Sequence, residues 1–89
     1  MDNAWNADPR ARLTRRIGVA PSELGTTGGR DGCPDIWELD NGDFAVIGRD
    51  LTAVYSGDLP HDAVIGDRER LVVIPRATLL AAKDQIPDA

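Results

Sequence analysis

Cys33, His61 and a set of closely spaced aspartates are the side chains through which this 89-residue chain could do chemistry. Nucleophilic catalysis needs a thiolate with a base within hydrogen-bond reach. Cys33 stands directly before Pro34 at the start of an apolar run, and the single histidine, His61, falls in a separate loop, so the cysteine reads as a small hydrophobe. Asp40 and Asp43 flank Asn41-Gly42 and would bring two carboxylates together across a tight turn, an arrangement that raises one pKa or holds a cation. Turns are also where aspartate ordinarily sits, because its side chain bonds the nearby backbone. Aligning Gly42 with the invariant glycine of a calcium loop would put Trp37 at the first ligand position, so that geometry fails. The glycines at 25, 28, 29 and 32 match neither the dinucleotide-binding spacing nor a Gly-Lys-Ser/Thr phosphate loop. The expectation is a protein with no catalytic residue, metal or cofactor, and not an enzyme.

Charge is the more informative pattern. Lys and Arg number 10 against 15 Asp and Glu, a formal net charge of −5. That balance argues against unaided binding to nucleic acid or an anionic membrane. The charge is nevertheless segregated. Arg10, Arg12, Arg15 and Arg16 cluster near the N-terminus, whereas between residues 31 and 62 eight carboxylates, among them Glu38, Asp40 and Asp43, face Arg49 alone. On a helix Arg12, Arg15 and Arg16 would share one face at i, i+3 and i+4. Such a basic arm and acidic body can pair with each other, bind a partner of opposite sign, or assemble head to tail. Trp5 stands in an otherwise polar start and fits the profile of an interface anchor, or of a ring docked back on its own domain.

The elements that must position these residues divide the chain in two. Val, Ile, Leu, Met, Phe, Trp and Tyr are sparse before residue 33 and dense after it, so residues 1–32 read as a flexible or weakly helical arm ending in a Gly-rich linker. Asp8-Pro9 would open its short helix. Residues 33–89 read as a single compact α+β domain with a three-stranded antiparallel sheet. Two of its strands form a hairpin over 35–48, with Asn41-Gly42 as a two-residue turn. That turn opposes Leu39 to Phe44 and Trp37 to Val46, and places these four side chains on the core face. The third strand is 70–74, β-branched and stopped by Pro75. A short helix near 50–56 is capped by Asp50, and a C-terminal helix near 75–84 turns Leu79, Leu80 and Ile86 inward.

The lone cysteine excludes an internal disulfide, no apolar run approaches the roughly 20 residues of a membrane span, and the start lacks a signal-peptide pattern. The chain therefore reads as small, acidic and cytoplasmic. The run from Cys33 to Gly48, followed by Asp50-Leu51-Thr52 and later by Leu71 to Arg76, resembles a group of small actinobacterial proteins. In that group a Cys-Pro opener, a hairpin, a short helix and a Val-rich strand ending in Pro recur, often beside genes for helix-turn-helix regulators. The resemblance covers the chain from Cys33 onward and implies a regulatory or interaction role, with no catalytic residue to carry across.

The function expected on these grounds is a small regulatory module that binds a protein partner, in a toxin–antitoxin-like role or as a modulator of a transcription regulator. Trp5, Arg12, Arg15 and Arg16 are its candidate arm contacts, and Glu38, Asp40 and Asp43 its acidic hairpin contacts. A sheet edge also offers a route to a homo-oligomer. The alternative is a nucleic-acid-linked function, by contact through the arginine arm or by acidic mimicry of DNA.

Overall fold

The computed structural model describes residues 4–26 and 33–87. The Gly-rich stretch lies, from residue 27 to residue 32, outside the described residues. In chain order the elements are β1 (Leu13–Arg16), α1 (Pro21–Leu24), β2 (Asp35–Leu39), β3 (Phe44–Ile47), β4 (Arg49–Asp50), α2 (Thr52–Tyr55), β5 (Val72–Val73) and α3 (Arg76–Ala82). A 3₁₀ turn over Lys83–Gln85 ends the last helix. The α+β plan, a three-stranded antiparallel sheet with a C-terminal helix, is the one the residue pattern predicts.

The membership of the sheet differs from expectation. Its order is β1-β2-β3, so the segment read as an arm supplies the third strand, and β5 pairs instead with β4 in a separate two-stranded ribbon. Charge explains the choice. Once the hairpin forms, β2 has one open side, and β1 sets Arg15 opposite Glu38 and Arg16 opposite Trp37, within reach of Asp35. The valines of 70–74 would have faced those carboxylates without a counter-charge. The helix expected from Asp8-Pro9 is only a turn: the Asp8 carboxylate accepts the Arg10 N–H at 2.9 Å, and the chain is extended from Leu13.

The hairpin register is also displaced by one residue. Glu38 opposes Phe44, Trp37 opposes Ala45, Ile36 opposes Val46, and Asp35 opposes Ile47. The Leu39 N–H donates to the Asp43 carbonyl and the Gly42 N–H to the Leu39 carbonyl, so the loop holds three residues. Only Gly42 takes a positive φ, +91°, while Asn41 does not. This is a type I turn followed by a left-handed glycine, in place of the two-residue turn that needs positive φ twice. Because side chains alternate, the slip moves the core to the opposite face. Ile36 is buried there against Ile17 and Ala82, with Ile74 packed alongside, whereas Trp37 and Leu39 lie on the other side with Ala45 and Ile47.

Helix α3 meets the sheet through small side chains. Thr78 and Ala82, one turn apart, are its buried residues. Gly18, at φ +95°, lets the chain after β1 pass so close that a Cβ there would lie 3.1 Å from the Ala82 nitrogen. The Gln85 side chain then accepts the Gly18 N–H at 3.0 Å. Leu79 and Leu80, expected to point inward, are 55% and 57% exposed. A contact this close leaves room for Thr and Ala but not for leucine, so the larger side chains turn outward.

Candidate interaction surface

Antiparallel pairing of β1 with β2 runs the basic segment alongside the acidic hairpin, and the candidate residues of the two segments meet one another in sequence order. Trp5 Nε1 donates to Asp43 Oδ2 at 3.1 Å. The Arg12 backbone N–H donates to Asp40 Oδ1 at 3.2 Å, and the Asp40 N–H returns a bond to the Arg12 carbonyl. Arg15 Nε lies 2.8 Å from Glu38 Oε1, and its guanidinium also donates to the Gln85 carbonyl at 3.1 Å. Arg15 and Arg16 therefore do not share a helical face with Arg12. They are neighbours on a strand and point to opposite sides of the sheet.

On the other side Arg16 closes a cluster around Asp35. Its guanidinium donates from Nε and Nη2 to the Asp35 carboxylate at 3.0 and 2.9 Å and lies 4.6 Å from the centre of the Trp37 ring. Trp37 Nε1 donates to the same carboxylate at 3.0 Å, and the Ile36 N–H adds a bond at 3.1 Å. Burial pushes the Asp35 carboxyl up, but the bonds from Arg16, Trp37 and Ile36 and the Arg16 charge outweigh it and hold it below the usual aspartate range. The bond to Asp35 in turn raises Arg16. Asp35 was not among the candidate residues of the sequence. Its signal was an aspartate beginning an apolar strand, where only a paired carboxylate is tolerated.

The seam thus pairs part of the charge that the sequence offered for partners. Arg15 and Arg16, two of the three arginines proposed to contact phosphate or an acidic surface, are engaged by Glu38 and Asp35. Cys33 lines a cavity of about 490 Å³ beside Pro34, Ile47, Arg49 and Val73, and His61 is not among the described residues around it. No group of three or more His, Cys, Asp or Glu side chains is placed to hold a metal ion among the described residues. No helix among them is long and apolar enough to cross a membrane.

The fold also leaves many large apolar side chains outside. Three hydrophobic residues are buried among those described, Ile17, Ile36 and Ala82, while large side chains such as Val54, Val64, Leu79 and Leu80 are exposed. The accessible surface of 7237 Å² compares with about 5,100 Å² for a compact monomer of this mass. Trp5 is the largest of the exposed side chains, at 67%. Its ring walls an open groove of about 480 Å³ whose other side is Leu59, Val64, Ile65 and Leu71, with Glu69 and Arg70 also lining it. The indole N–H bond to Asp43 fixes the ring in that position. Comparison of the chain with protein-family models, with curated proteins and with solved structures finds no match.

Proposed function

We propose that this chain is a non-enzymatic protein-interaction module of regulatory type, which binds an apolar segment of a partner protein in the groove beside Trp5. The observation that carries this reading is the position of Trp5: a large aromatic ring held at the surface by its own N–H bond to Asp43, facing an apolar wall across an open groove. Indole rings so placed supply large contact area at low entropic cost, and tryptophan is enriched among the residues that dominate binding energy. Asp40 and Asp43 at the hairpin tip, together with the net charge of −5, favour a partner whose apolar segment is flanked by basic residues. Modulation of a transcription regulator, or a toxin–antitoxin-like pairing, is the concrete form of such a role.

A photo-crosslinking side chain at position 63 on the wall of the groove, with position 80 on the outer face of α3 as control, tests the proposal in the native host. The partner is captured from position 63 and not from position 80, and the purified pair loses at least tenfold in affinity on Trp5→Ala or Val64→Asp. Binding unchanged by both substitutions removes the groove from the function.

A further inference from the structure

The two edges of the main sheet are treated differently. On β1 the exposed edge is guarded by Arg15 and Arg16 and by a register irregularity between Leu13 and Arg15. Charges and bulges are the devices that keep an edge from pairing with another chain. The other edge, β3, reads Phe44-Ala45-Val46-Ile47, with no charge, no proline and no bulge. Its free backbone groups follow from the register. The Leu39 N–H bonds the Asp43 carbonyl, so Asp43 faces β2, and by alternation Ala45 and Ile47 do as well. Phe44 and Val46 therefore direct their N–H and C=O groups away from the sheet, with no backbone partner on that side among the described residues. Beyond Gly48 the side of the chain that continues toward β2 is filled by β5, through Arg49 opposite Val73. The outer side stays open from Phe44 to Asp50.

We infer that this edge pairs with the same edge of a second copy, antiparallel about a two-fold axis at Val46, so that two three-stranded sheets join into one of six strands. Charge selects both the occupant and the register. With Val46 opposite Val46 of the second copy, Phe44 falls opposite Gly48, Ala45 opposite Ile47, and Asp43 opposite Arg49. The last pair forms twice by symmetry. Arg49 is exposed and has no ion pair among the described residues. Asp43 and Arg49 would occupy a non-hydrogen-bonded pair, in which facing side chains come closest. The neighbouring register, which sets Ala45 opposite Ala45, puts Asp43 against Ile47 and forms no ion pair. The pairing shares Asp43 with the Trp5 groove: Oδ2 accepts the indole N–H, which leaves Oδ1 for Arg49 of the second copy.

Light scattering coupled to gel filtration tests it on the full chain. The expected mass is about 19 kDa, twice the 9.6 kDa of one chain. Arg49→Glu, which sets like charges opposite each other twice, raises the dimer dissociation constant about tenfold at low salt, and Arg49→Lys leaves it nearly unchanged. Val46→Pro abolishes the dimer. The proline removes an N–H that the single chain does not use, and proline is tolerated at edge positions of that kind. Circular dichroism confirms that each variant is folded; if the proline variant is not, Arg49→Glu alone decides. A 9.6 kDa monomer at micromolar concentration overturns the proposal, and so does a dimer whose dissociation constant is unmoved by Arg49→Glu.

Discussion

Arg16 and Asp35 sit on adjacent antiparallel strands 19 residues apart in sequence, and the guanidinium of one meets the carboxylate of the other through two donors, the closer contact at 2.9 Å. The pair fastens the N-terminal strand to the hairpin. Because Asp35 is 8% exposed and also accepts from Trp37 and Ile36, removing its charge leaves Arg16 without a partner and an amide where three donors converge. Arg16 keeps access to water, which moderates the loss. Asp35→Asn is expected to destabilise the fold by about 1–3 kcal/mol in urea unfolding.

The same pair sets a pH dependence. The folded-state pKa of Asp35 lies below its ordinary value of 3.8. A depressed carboxylate contributes stability that is fully present above the unfolded pKa and is lost as pH falls through the folded one. Asp50, lowered by its bonds from the Thr52 hydroxyl and N–H, acts in the same direction. Stability is therefore flat from neutral pH down to about 5 and declines below about 4. Asp35→Asn makes the decline shallower, measurable as urea midpoints at a series of pH values.

Gly48 is fixed by space. A Cβ there would lie 2.7 Å from the Val73 carbonyl oxygen and 2.9 Å from Ile74 Cγ2, because β5 lies against the chain where β3 passes into β4. Backbone cannot step aside as a flexible side chain can. Gly48→Ala is expected to cost about 1–3 kcal/mol. Gly57, whose added Cβ would meet nothing within 4 Å, is the control. Gly57→Ala is neutral or stabilises by up to about 1 kcal/mol, and thermal melts of the two variants separate in opposite directions.

These positions show what could and could not be read beforehand. The hairpin was legible because Asn41-Gly42 lies between two apolar runs, yet the dipeptide serves both a two-residue turn and a three-residue loop with Gly42 left-handed. Only the second keeps Asn41 at negative φ, and the one-residue difference exchanges the faces on which Phe44 and Val46 accompany Trp37. Strand β1 was missed because few of its residues are apolar. An edge strand held by backbone bonds and ion pairs needs few, and the complementarity of Arg15 and Arg16 to Glu38 and Asp35 was visible in the charges without naming a strand. Helix α3 was placed correctly but rotated wrongly, since periodicity favours burial of Leu79 and Leu80 while the close approach at Gly18 admits only Ala82.

Thr78 carries a buried hydroxyl with no hydrogen-bond partner among the described residues, at 4% exposure on the packed side of α3. An unsatisfied buried polar group costs about 1–3 kcal/mol. Valine has the same branched shape and similar helix propensity. Thr78→Val is therefore expected to raise stability by about 1 kcal/mol, read as a higher denaturant midpoint with an unchanged slope.

Ile17 is 2% exposed and is the largest fully buried side chain among the described residues, and it belongs to the stretch that a reading of composition alone would discard. Removing residues 1–32 takes away Ile17, strips β2 of its partner along one edge and leaves Asp35 buried without Arg16. The apolar core that remains consists of Ile36 and Ala82 with Ile74 beside them. A chain beginning at Cys33 is expected to lose its cooperative thermal transition and its amide proton dispersion. A folded 33–89 fragment would mean that β1 is dispensable and that its ion pairs add only to the surface. Loss of partner binding on such a truncation accordingly reports on folding, and the Trp5 groove has to be probed by single substitutions in the full chain.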